Sequence, residues 1–182
     1  MRIAVISGSH RIGRKSHSVA EWVVNEFRQV EGVEHVEMLD VKEYDFPVME
    51  ERLIYLNELP EGLQRFSDEI IQADALVIVT PEYNGGIAGS LKNTLDYFRK
   101  EFNRKPMGAV TVSSGNFGGV NALHQLWFWM SYVGGIVSPV KFLVSNVNDV
   151  FDEEGKVVDD RFARNGRKFV DELIWLTSKI KE

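Results

Sequence analysis

Four short runs rich in β-branched or large apolar residues dominate the hydropathy pattern: Ile3–Ile6, Ala75–Val79, Met107–Val112 and Val140–Val144. Strands that are apolar on both faces need cover on both faces, and parallel sheets with helical crossovers supply it. A fifth run, Val36–Leu39, alternates in polarity and is expected at a sheet edge. Between the runs lie segments with helical spacing. Their stripes are Val19, Trp22, Val23 and Phe27; Leu63, Phe66, Ile70 and Ile71; Leu91, Leu95 and Phe98; and Phe162, Phe169, Leu173 and Ile180. A further helix is expected over 120–133. Five strands alternating with five helices predict an open α/β sheet in three layers. The chain has 182 residues and shows no repeat or linker, so one domain over 1–182 is expected.

In such sheets ligands sit at the carboxyl ends of the strands, so the residues following each run carry the functional information. The first run enters Gly8-Ser9-His10-Arg11-Ile12-Gly13-Arg14-Lys15-Ser16-His17-Ser18, with three serines and three cations ahead of a helix. A helix start offers unpaired N–H groups and a positive dipole end, which suits a phosphate. A plainer reading is also open: Ser16 or Ser18 as an N-cap, with Arg14 and Lys15 as solvated charges. A triphosphate-binding P-loop is not expected, because Arg14 intrudes between Gly13 and Lys15 and displaces the lysine and the metal-binding hydroxyl. The third strand ends in Thr80-Pro81-Glu82-Tyr83-Asn84-Gly85-Gly86, a rigid turn that lets backbone approach a flat ligand. The fourth ends in Ser113-Ser114-Gly115-Asn116-Phe117-Gly118-Gly119. Together these three turns describe one crevice.

Composition narrows the chemistry. A net charge of −6 argues against nucleic acid or an anionic membrane as partner. The chain has no cysteine, which removes disulfides, thiolate nucleophiles and Cys-ligated metals. His10, His17, His35 and His124 lack metal-ligand spacing. The first apolar run is too short for a signal peptide or a membrane span, so a cytoplasmic location is expected.

With these motifs in view, the sequence resembles the NADPH-dependent FMN reductase family, which includes quinone, azo-dye and chromate reductases. The resemblance rests on Pro81-Glu82-Tyr83-Asn84, on Gly89-Ser90-Leu91-Lys92-Asn93 with Leu95-Asp96, on Gly8-Ser9-x-Arg11, and on Gly115-x-x-Gly118-Gly119. It implies a flavodoxin-like fold with a five-stranded parallel sheet in the order 2-1-3-4-5. It implies that Ser9, Arg11, Ser16, His17 and Ser18 surround the phosphate of FMN. Ser18 stands where many members carry Asn. Pro81, Glu82, Tyr83, Asn84 and Gly85 would line the isoalloxazine edge, with Ser113, Ser114 and Gly115 on the other flank. Reduced nicotinamide, NADPH or NADH, would deliver hydride to the bound flavin. A quinone, azo compound, free flavin or metal oxyanion would then take its turn at the same face. No side chain is needed as a nucleophile. Glu82 is open to two readings, proton transfer or positioning of its turn. The opposing class is a flavodoxin-type electron carrier that binds FMN without oxidising NAD(P)H.

The expected helix over 120–133 carries Val120, Leu123, Leu126, Trp127 and Met130 on one face and Phe128, Trp129 and Tyr132 on the other. Aromatic residues opposite a sheet-facing stripe suit a subunit interface. A homodimer is therefore expected, with a homotetramer as the larger option. Coverage by the 45–59 segment of the same chain is the competing reading.

Overall fold

The computed structural model describes residues 1–181. Every expected apolar run lies in one sheet, with strands β1 (Arg2–Ser7), β2 (His35–Asp40), β3 (Ala75–Tyr83), β4 (Gly86–Ile87), β5 (Pro106–Val112), β6 (Ile136–Val137) and β7 (Phe142–Val144). The helices are α1 (Lys15–Arg28), α2 (Val41–Tyr44), α3 (Leu63–Gln72), α4 (Gly89–Asp96), α5 (Val120–Tyr132) and α6 (Asp160–Lys181). The parallel order is β2-β1-β3-β5, with β6 and β7 both on the far side of β5. This is the flavodoxin-like α/β fold.

The strand count is seven rather than the expected five, for two reasons. The last expected run, Val140–Val144, forms a strand only over β7, which pairs with Val110–Val112, while a separate strand outside that run, β6, pairs with Pro106–Met107, leaving residues 138–141 between them. Pro139 in that gap has no N–H to donate to a ladder. The second addition is β4, which folds back antiparallel on the end of β3. Asn84 and Gly85 both take positive φ, 51° and 78°, as a tight Asn-Gly hairpin turn requires.

Alternate residues of each strand feed two apolar layers. Ile3, Val5, Val77 and Val110 pack toward α1 and α6, whereas Ala4, Ile6, Ile78 and Ala109 pack toward α3, α4 and α5. Gly166 lets α6 cross α1 closely, since a Cβ there would lie 2.3 Å from the Trp22 ring. Two members of the expected helical stripes, Ile71 and Ile180, lie exposed on the outer surface.

The expected faces of α5 also need correcting. Ala122, Leu123, Leu126, Trp129 and Met130 are buried, while Trp127 is half-buried beneath Lys141, whose Nζ lies 4.9 Å from its ring centroid. Trp129 is only 9% exposed and meets Phe102 edge-on at 4.8 Å, so it belongs to the core. The helical period puts it in line with Ala122 and Leu126, and the 3-10 turn Lys100–Phe102 supplies the ring that receives it. Phe128 and Tyr132 do stay out, 72% and 62% exposed, stacked at 6.0 Å. Met49 and Arg52 border the same cleft without covering the two rings.

Candidate functional site

The carboxyl ends of β1, β3 and β5 lie side by side and open into a crevice of about 360 Å³. Arg11, Gly13, Lys15 and Ser16 form one wall, Pro81, Glu82 and Tyr83 the second, and Ser113 and Ser114 the third. Val147 and Asn148, just past β7, close the fourth side. Larger hollows of about 400 and 590 Å³ lie along Arg52, Arg99 and Tyr132, beside α5 rather than at these strand ends.

Backbone fit shapes the first loop. Gly8 N donates to Val79 O at 2.8 Å, and a Cβ on Gly8 would stand 2.8 Å from Leu91 Cδ2 and 3.0 Å from Val79 O. Ser90 Oγ donates to Gly8 O at 3.3 Å, tying α4 to the loop. Asn93 holds another segment: its Oδ1 accepts from Met49 N at 2.8 Å and its Nδ2 donates to Pro47 O at 2.7 Å. The Gly89–Asn93 portion of the motif therefore acts through scaffolding.

Ser16 lies in the first turn of α1, where N–H groups have no intrahelical acceptors. Its hydroxyl is buried and finds no hydrogen-bond partner among the described residues. Unsatisfied buried hydroxyls are uncommon, and this one borders the crevice between the exposed cations Arg11 and Lys15. That donor set fits a phosphate. The slot between Pro81 and Tyr83 on one side and Ser113 and Ser114 on the other fits a planar ring system. The residues present thus suit FMN.

The remaining expected site residues stand around the crevice without lining it. Ser9 is fully buried, and its Oγ lies 2.8 Å from Tyr83 Oη, joining the first loop to the second. His17 Nδ1 is 3.1 Å from Ser7 Oγ and 3.4 Å from Asp40 Oδ2, toward the ends of β1 and β2. Ser18 is half-buried farther along the first turns of α1. Asn84 and Gly85 are exposed at the hairpin tip, and exposed Gly115 donates its N–H to Ser113 Oγ at 3.0 Å.

Glu82 resolves in favour of positioning. Its carboxylate accepts from Asn121 N at 2.9 Å, Ala122 N at 3.1 Å and Asn121 Nδ2 at 3.2 Å. It thereby caps α5, whose own N-cap, Gly119, has no side chain. Glu82→Ala is expected to lower stability by about 1–2 kcal/mol, the usual worth of a helix cap. A urea midpoint equal to that of the parent protein would deny the cap this role.

Sequence reasoning missed two features. Arg14, left open between a phosphate-loop cation and a solvated charge, instead grips both carboxylate oxygens of Asp40 and donates to Ser9 O at 2.7 Å. The only available signal was an Asp at the end of the alternating run that forms β2. The 147–148 wall had none, because it depends on where β7 ends. Among the described residues no cluster of His, Asp and Glu could hold a metal ion.

Fold and crevice together define a flavodoxin-like domain with a site suited to FMN. Residues 1–149 match the family model described as NADPH-dependent FMN reductase, and the chain belongs to that family. It is 29% identical over 168 residues to an NAD(P)H-dependent FMN reductase of Pseudomonas aeruginosa, covering 88% of this chain and 86% of that one. It is 27% identical over 190 residues to an FMN-dependent NADPH-azoreductase of Staphylococcus haemolyticus, covering 96% and 94%. Among solved structures, it shares its fold with FerB, a flavoenzyme NAD(P)H:(acceptor) oxidoreductase from Paracoccus denitrificans. The TM-score is 0.81 at 24% identity, over 98% of this chain and 97% of that one.

Proposed function

We propose that the crevice at the ends of β1, β3 and β5 holds FMN, with its phosphate against the first loop and its ring system between the second and third. The buried, unpartnered Ser16 hydroxyl at the start of α1 carries this placement. Arg11 and Lys15 supply exposed charge at the rim, and Ser16 supplies a buried donor. Ser9 and His17 brace the loop through Tyr83 and Ser7, with Ser18 following on α1. Pro81 and Tyr83 flank the ring edge, with Ser113 and Ser114 opposite.

The chain is an FMN-dependent NAD(P)H oxidoreductase, in keeping with its family. When bound, FMN would supply a two-electron acceptor for hydride from NAD(P)H. The protein's own part is to bind, orient and leave one ring face open to two substrates in turn. Glu82 is occupied by α5, so no free carboxylate is assigned to proton transfer. The proposed acceptors are small molecules, namely quinones, azo compounds, free flavins or metal oxyanions. No helix among the described residues is long and apolar enough to cross a membrane. We place the protein in the cytoplasm as a homodimer or homotetramer joined through the exposed Phe128 and Tyr132 stripe.

The test uses apoprotein with and without FMN. At about a hundredfold excess over its Kd, FMN is expected to stabilise the fold by about 2.7 kcal/mol. NADPH oxidation in the presence of a quinone should depend on the added FMN. Stabilisation without NADPH consumption would favour the electron-carrier reading, and the absence of both would remove FMN from the crevice.

A further inference from the structure

Arg14 takes no part in the site as described, yet it is the best-buried cation of the first loop. Its side chain is 13% exposed, whereas Arg11 and Lys15 are open to solvent. Although Arg14 borders the crevice, its guanidinium is committed elsewhere. It donates to both oxygens of Asp40 and, at 2.7 Å, to Ser9 O. Asp40 is 1% exposed at the end of β2 and also accepts from Lys42 N at 3.0 Å. A fork-to-fork pair between two planar groups fixes direction as well as distance. Buried ion pairs add little net stability against an apolar replacement, so geometry is the sounder account of one kept beside a ligand loop. Here the pair pins the Ser9 carbonyl, and the Ser9 hydroxyl is held in turn by Tyr83.

We propose that Arg14 is a positioning residue: its clamp on Asp40 presets the first loop for phosphate, so that the loop is ordered on folding rather than on ligand binding. This rests on the FMN reading above. Arg14 acts through Ser9 and the loop backbone and makes no phosphate contact itself.

The experiment titrates apoproteins with FMN and with riboflavin, which lacks the phosphate, following flavin fluorescence quenching and recording circular dichroism melts. Parent protein, Arg14→Gln, Asp40→Asn and the double variant are compared. FMN affinity is expected to fall about thirtyfold in each single variant, the equivalent of one charge-assisted hydrogen bond. Riboflavin affinity should change less than about threefold, and the double variant should bind FMN no worse than the weaker single, since both act on one contact. Full FMN affinity in Asp40→Asn, with loss in Arg14→Gln, would make Arg14 a direct phosphate ligand and overturn the proposal. Equal weakening of FMN and riboflavin would reduce the clamp to a structural part and overturn it as well. If a single variant unfolds, the double variant decides, because it leaves no buried charge unpaired. A parent protein that binds no FMN would refute the functional reading instead. The clamp would then be judged by amide exchange over residues 9–16, which must be faster in the double variant than in the parent.

Discussion

Trp129→Ala is expected to cost about 3–5 kcal/mol of stability, the range for truncating a large aromatic in a packed core. For a chain of this size that corresponds to a fall of about 6–20 °C in melting temperature. The reason is the edge-on contact with Phe102, within the apolar layer that α5 shares with α3 and α4. The neighbouring stripe should behave differently. Phe128→Ser with Tyr132→Ser removes exposed rings, so secondary structure should persist while light scattering reports a loss of mass. A Trp129→Ala protein that melts like its parent would return that side chain to the surface. A doubly substituted stripe with unchanged mass would move the interface elsewhere.

Gly8→Val is expected to damage the site more than any surface change. The new side chain would stand closer to Leu91 than Cβ atoms come and tight against the Val79 carbonyl, and Leu91 sits in a buried layer with little room to yield. Overpacking of this kind costs about 1–3 kcal/mol. The strain falls where β1 enters the loop proposed to hold the phosphate, so FMN affinity should drop at least about tenfold, equivalent to one weakened charge-assisted contact. Calorimetry with FMN, beside a thermal melt, separates the two effects. Parental affinity in a destabilised variant would show that the loop adjusts independently of its root.

The layered sheet was legible because burial on both faces leaves an unbroken apolar signature, as in Ala75–Val79, and because Leu63, Phe66 and Ile70 keep helical spacing. Trp129 was not, because its partner Phe102 lies on a separate short turn that no local pattern connects to α5. Ile71 and Ile180 misled for a simpler reason: being apolar does not oblige a residue to be inside. In the site, glycine and serine located all three loops. The division of labour among Arg11, Arg14 and Lys15 was hidden, since it turns on Asp40 from another strand. Glu82 likewise shows its role only once α5 is docked above it.

The broken strand beside β5 bears on how copies of this chain can associate. An intact edge strand offers a row of unpaired backbone groups that another molecule can extend. Here β6 and β7 hold two and three residues, and Pro139 stands in the gap between them. No uninterrupted template runs along that border, so a neighbour cannot continue the sheet there by adding a strand of its own. Along that border association is left to side-chain contacts, while the opposite edge of the sheet, β2, is the one that keeps an unbroken row of backbone groups.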